Sequence, residues 1–139
     1  MDYDSLKEET ERLVKIMEKL RGPNGCPWDK KQDYASLQPY ILEEAYEVVE
    51  TIQDNDVSNL KEELGDLLLQ VVFQAQIGKE NGDFDLIDVF SKISEKLIRR
   101  HPHVFGDLDI KGAKEVKITW DEIKAQEKQD KNNSDNSNN

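Results

Sequence analysis

Apolar residues recur along this chain at helical spacing, and nowhere do they alternate with period two for long. Leu6, Leu13, Ile16, Met17 and Leu20 form one stripe, with Ser5 and Glu8 placed as a capping box that opens the helix. It stops at Gly22-Pro23-Asn24-Gly25-Cys26-Pro27, a turn-rich loop with two prolines. A second helix is expected from near Pro39 to about Gln53, followed by the turn Asp54 to Asn59, rich in capping side chains. A third, from about Leu60 to Glu80, carries Leu64, Leu67, Leu68, Val71, Val72, Phe73, Ala75 and Ile77, so well over half of its circumference is apolar. Such a helix belongs at the centre of a bundle or against a second subunit. In so short a chain both are expected, hence a homodimer or a higher homo-oligomer. Asn81-Gly82 ends that helix, and Asp85 with Asp88 opens a fourth through Leu86, Ile87, Val89, Phe90, Ile93 and Leu97. After an irregular stretch from His101 to Gly112, Thr119 and Glu122 make a second capping box for a short fifth helix. From Lys128 on there is no apolar residue, which reads as a disordered tail. The expected fold is therefore all-α, a bundle of about four to five helices completed by homodimerisation. Residues 1–128 form one domain in this reading, and residues 129–139 a polar tail.

Charge narrows the partners. The chain has 30 acidic and 19 basic residues and a formal net charge of -11, which argues against a nucleic-acid polymer, since that partner needs a positive field. A small anionic ligand would need a local basic cluster, a metal, or both. Cys26 is the only cysteine, so an intramolecular disulfide and a cysteine-based zinc site are excluded, which fits a reducing cytoplasm. Met1-Asp2-Tyr3-Asp4 lacks the basic start and apolar run of a signal peptide. The densest apolar run, Leu67 to Phe73, is interrupted by Gln70 and is too short to span a bilayer. A cytoplasmic protein with no membrane partner is expected.

Four carboxylates carry the strongest chemical signal: Glu44 and Glu47 in the second helix, Glu63 and Asp66 in the third. Each pair is spaced i, i+3, so both members point the same way from a helix, where like charges repel. Solvated helix faces often carry such pairs, but these border apolar stripes, where a bare charge is costly unless paired or metal-bound. A short turn makes the two helices antiparallel neighbours. Counted from a turn centred near Asp56, Glu47 and Asp66 return to the same height within a helical turn. Oxygen donors so gathered suit a hard cation such as Mg²⁺. Gly65 in the middle of the third helix suggests close packing or ligand space beside the pair.

Two further segments could complete a site. Lys96, Arg99 and Arg100 share a helix face, either as ordinary ion-pairing cations or as phosphate contacts. Beside a carboxylate-bound metal, an anionic substrate is the simpler account. His101 and His103 flank Pro102 with no assigned role. In Gly25-Cys26-Pro27-Trp28-Asp29, Trp28 offers a planar face for a base, or equally a lid over the core.

Together these segments resemble the MazG family of nucleoside triphosphate pyrophosphohydrolases, within the all-α NTP pyrophosphohydrolase superfamily. The resemblance rests on Gly25-Cys26-Pro27-Trp28-Asp29, on Tyr40 to Glu47, on Glu62 to Ala75, and on Arg99-Arg100-His101-Pro102-His103-Val104-Phe105-Gly106, and covers roughly residues 5 to 128. It implies an α-helical dimer that holds Mg²⁺, or Mn²⁺ as a substitute, on Glu44, Glu47, Glu63 and Asp66. Glu43 would assist, by binding a second metal or orienting the attacking water. It further implies hydrolysis of a nucleoside triphosphate between the α and β phosphates, with Lys96, Arg99 and Arg100 on the phosphates and Trp28 and Trp120 against base or ribose. Two departures stand out: family members often carry two such domains in tandem, and Asp33 follows Gln32 where the family usually has threonine. Rival readings are a narrower dUTP- or dCTP-type pyrophosphatase and a non-catalytic helical interaction module with a vestigial metal site.

Overall fold

Asp2, rather than Ser5, opens the first helix, α1 (Tyr3–Arg21): its carboxylate accepts hydrogen bonds from the Ser5 backbone N–H at 3.2 Å and from the Ser5 hydroxyl at 2.7 Å. Three residues of extra helix follow because Asp2 is the better acceptor in the capping position. The computed structural model describes residues 1–137, and the chain in it divides into two compact units, Met1–Ile87 and Asp88 onward. Among the described residues the chain is all-α, with seven helices and no strand.

The first unit holds α1, the short α2 (Pro27–Lys31), α3 (Gln38–Gln53) and α4 (Val57–Asn81). The loop expected after the first helix thus contains one turn of helix, begun by Pro27 at a position where the missing N–H costs nothing. α3 and α4 pack as an antiparallel hairpin, and α1 packs on α2 and α4. Asp56 caps α4 by accepting from the Asn59 N–H at 3.3 Å, so α4 begins three residues before the expected Leu60. Gly82 ends it in the left-handed region at φ 75, as the Asn-Gly pair requires.

Met17, Leu37, Val72, Phe73 and Ile77 form the core of this unit, flanked by Leu13, Tyr34, Tyr40, Leu69 and Leu86. Arg21 ties its edge together. Its guanidinium lies over the Phe73 ring at 5.6 Å, pairs with Glu80 at 2.7 Å, and donates to the carbonyls of Asp29 and Gln32 at the end of α2. α4 is central on one face only. Leu64, Leu68 and Val71 remain 46%, 47% and 42% exposed, next in sequence pattern to exposed Leu42, Tyr46 and Val49 on α3.

α5 (Leu86–Arg100) runs into the second unit, which continues through α6 (Pro102–Phe105) and α7 (Ala113–Ser137). Thr119 is therefore interior to a helix rather than its cap, because no breaker separates it from Gly112. Helix also continues into the segment read as a disordered tail, as far as Ser137, with Gln126 bonded to Asp130 one turn on. Residues 138 and 139 of that tail lie outside the described residues.

Candidate metal centre

The α3–α4 turn sets the register of the carboxylates. Asn55 takes a left-handed conformation at φ 55 between Asp54, which closes α3, and Asp56, which opens α4. Glu44 and Asp66 lie the same number of residues from Asn55, one on each helix. One oxygen from each of Glu44, Glu63 and Asp66 falls within 4.8 Å of the other two. Glu47, expected as a fourth member, is not in this group. Glu47 and Glu63 likewise lie the same number of residues from Asn55, so Glu47 stands beside the group at the height of Glu63. Glu47 still acts on the group through its charge, as does Glu43.

The electrostatics are those of a site short of positive charge. Burial, then the charges of Asp66, Glu43, Glu63 and Glu47, push the Glu44 carboxyl above the usual carboxylate range. Glu63 is raised in the same way, first by burial and then by Asp66, Glu47 and Glu62, with an opposing hydrogen bond from the Asn59 carboxamide at 3.5 Å. Among the described residues none of the three carboxylates forms an ion pair. A divalent cation fits this donor set. Magnesium takes oxygens at about 2.0–2.1 Å in an octahedron, so opposite ligands stand roughly 4.2 Å apart. The 4.8 Å limit on the cluster is within a small side-chain adjustment of that. Gly65 faces open space, since a Cβ there would meet nothing within 4 Å. Close packing therefore does not account for this glycine.

One residue of α4 stands apart. Gln70 is buried, 8% exposed, and its Oε1 has no hydrogen-bond partner among the described residues. Leaving such an acceptor unpaired costs roughly 1–3 kcal/mol.

In the second unit the cations are already engaged. Glu127 on α7 accepts from Arg99 at 2.5 Å and from Arg100 at 2.9 Å. Those two guanidinium groups hold its carboxyl down to about 2. Arg100 also lies over the Trp120 ring at 5.2 Å, and His101 meets the same ring edge-on at 5.0 Å. Lys96 is half-buried and, among the described residues, in no ion pair. Trp28, in the first unit, is 48% exposed and packs edge-to-face on Tyr40 at 5.4 Å.

The family model of the MazG nucleotide pyrophosphohydrolase domain matches residues 32–105, over half of the chain. The chain belongs to the MazG family. It is 56% identical over 124 residues to the nucleoside triphosphate pyrophosphohydrolase/pyrophosphatase MazG of Thermotoga maritima, covering 89% of this chain and 47% of that protein. It is 51% identical over 124 residues to the nucleoside triphosphate pyrophosphohydrolase of Escherichia coli K12, covering 88% of this chain and 47% of that one. The chain thus spans about half the length of these curated relatives. A solved structure, the mazG-related protein from Thermotoga maritima, superposes with a TM-score of 0.67 at 34% identity, covering 83% of this chain and 98% of the other.

Glu44, Glu47, Glu63, Asp66, Lys96, Arg99 and Arg100 lie inside the matched MazG segment, whereas Trp28, Trp120 and Glu127 lie outside it. Three residues gain a place that sequence reasoning did not give them. Gln70 signalled itself only as a polar interruption of an apolar run. Asn59 falls in the expected turn, and Glu127 carries no local signal in the sequence.

Proposed function

We propose that this MazG-family chain is a Mg²⁺-dependent hydrolase that converts a nucleoside triphosphate to the monophosphate and pyrophosphate. It would act in the cytoplasm as a homodimer or higher homo-oligomer. The observation that carries the reading is the convergence of Glu44, Glu63 and Asp66 without a counter-ion, in a chain related to proteins named for this activity. Glu44, Glu63 and Asp66 would hold the cation directly, and Glu47 would join them by a change of rotamer. A bound divalent cation supplies charge neutralisation to phosphate oxygens and makes water more acidic. Glu43, on the same helix as Glu44, would orient the attacking water. Lys96, Arg99 and Arg100 are assigned to substrate phosphate because they are cations inside the segment that the MazG family model matches. Trp28 and Trp120, outside that segment, are assigned to base or ribose because an aromatic face can stack on either. The exposed apolar stripe of Leu42, Tyr46, Val49, Leu64, Leu68 and Val71 supports association with a second copy.

A second reading, a non-catalytic helical module with a residual metal site, draws on one observation: Glu127 already occupies both arginines. A panel of nucleoside and deoxynucleoside triphosphates, assayed with and without Mg²⁺ for pyrophosphate and monophosphate, separates the two. Equal amounts of both products, dependent on Mg²⁺, are expected. Absence of product from every nucleotide would leave the module, and orthophosphate with diphosphate would move the cut to another bond.

A further inference from the structure

We propose that Gln70 is a positioning residue for the cation, its Oε1 accepting a hydrogen bond from a water in the cation's hydration shell. The inference rests on the cation-site reading of Glu44, Glu63 and Asp66 and extends it inward by one helical turn.

α4 carries a polar stripe at Asn59, Glu63, Asp66, Gln70 and Gln74, spaced four, three, four and four residues apart, so that all five share one face. Four of them are accounted for. Asn59 donates to Glu63 at 3.5 Å, Glu63 and Asp66 belong to the carboxylate group, and Gln74 donates to the Tyr34 carbonyl at 3.2 Å. Gln70 is the most buried of the five, and its acceptor oxygen is unsatisfied. A leucine or methionine would fill the same space without that defect, and the flanking residues Leu67, Leu68, Leu69, Val71 and Val72 show how apolar the helix is here. Long side chains on a helix reach back over the preceding turn, which for Gln70 is the turn bearing Asp66. One oxygen each from Glu44, Glu63, Asp66 and Glu47 leaves about two positions of a magnesium octahedron to water, and such waters are strong donors that need acceptors. A neutral carboxamide oxygen supplies one without adding a further negative charge to a crowded group. Partners of this kind hold the geometry of a metal site, and their loss typically costs about ten- to a hundred-fold in metal affinity.

The competing account is a purely structural glutamine whose oxygen is met by an internal water whether or not a cation binds. Mn²⁺ binding to the full chain, followed by electron paramagnetic resonance, and melting temperature with and without Mg²⁺ decide between them. Gln70→Leu is expected to bind Mn²⁺ at least tenfold more weakly, to melt no lower than the unsubstituted chain without cation, and to gain less from Mg²⁺. Gln70→Glu, which keeps the acceptor, is expected to retain the affinity. Mn²⁺ affinity of Gln70→Leu within about twofold of the unsubstituted chain would overturn the inference. Should Gln70→Leu not fold, Gln70→Met is judged by the same criterion. Glu44→Gln is the control for the underlying reading: if it too leaves Mn²⁺ affinity unchanged, the cation site itself falls, whereas an effect there with none at Gln70 removes only the role of Gln70.

Discussion

The two charged clusters of this chain are built on opposite principles. In the first unit, Glu44, Glu63 and Asp66 bring like charges together, and among the described residues none forms an ion pair. In the second, Arg99 and Arg100 find a carboxylate within the same unit, and Glu127 is held near a pKa of about 2 by them. One cluster raises the pKa values of Glu44 and Glu63, and the other depresses its acid. A group that leaves its repulsion unrelieved is poised for a ligand from outside, whereas a group that satisfies its own charges contributes to the fold. The sign of the shift separates them better than the number of charges does.

The contrast breaks most sharply at the carboxylates. Glu44→Gln or Asp66→Asn removes one charge from the unpaired group, so pyrophosphate release should fall by at least about a hundredfold. Cation-free stability should hold or rise as repulsion is relieved. A melting curve beside the product assay checks both. Full turnover in either variant would mean that these oxygens do not hold the cation.

Glu127→Gln tests the other side. It leaves two guanidinium groups without their carboxylate, and hydrogen exchange in α7 should quicken by about tenfold. Acid should mimic it. The Glu127 pKa is depressed from 4.5 to about 2, so its contribution to stability is fully present above pH 4.5 and is lost as pH falls through about 2. Protection of α7 in the unsubstituted chain should therefore decline over that window and stay flat in the variant. Identical profiles would show that the pair does not hold α7.

Glu44 and Glu63 titrate in the opposite sense. Their folded pKa values lie above 4.5, so without cation their effect is to lower stability as pH rises through those raised values. A cation needs both deprotonated, so Mg²⁺ affinity should instead grow with pH over the same range, with protons released on binding. Calorimetry in two buffers of different ionisation enthalpy measures that release. Binding without proton uptake or release near these pKa values would remove Glu44 and Glu63 from the ligand set.

Much of this was legible in the sequence, and the gaps have physical causes. Periodicity gave α1, α3 and α4 because each turns apolar residues inward, as Met17, Val48, Val72 and Ile77 show. Helix starts were missed at Ser5 and Thr119 because a capping box is a local pattern, and a better acceptor or an unbroken run upstream overrides it. The approach of Glu44, Glu63 and Asp66 was legible from the i, i+3 spacing and the short turn between their helices, while Glu47 reaches that group through its charge. Glu127 was not legible at all. Its partners, Arg99 and Arg100, lie far back in the chain, and no periodicity reports a contact between separate helices.

Gly65→Ala is the finest probe of the contrast. The glycine sits inside α4 between Glu63 and Asp66, where it should cost the helix about 0.5–1 kcal/mol relative to alanine. A methyl group there meets nothing within 4 Å, so the cation-free chain should gain about that much stability. If the space beside the carboxylates is kept for a ligand, the same methyl should weaken nucleotide binding in the presence of Mg²⁺ by a few fold. The two effects have opposite signs, and one pair of thermal melts, with and without Mg²⁺ and a nucleotide product, reads both. A gain in both states would make Gly65 an accident of sequence. Gain without ligand and loss with it would mark the unpaired cluster as a site shaped for an occupant, which the self-paired arginines of the second unit do not require.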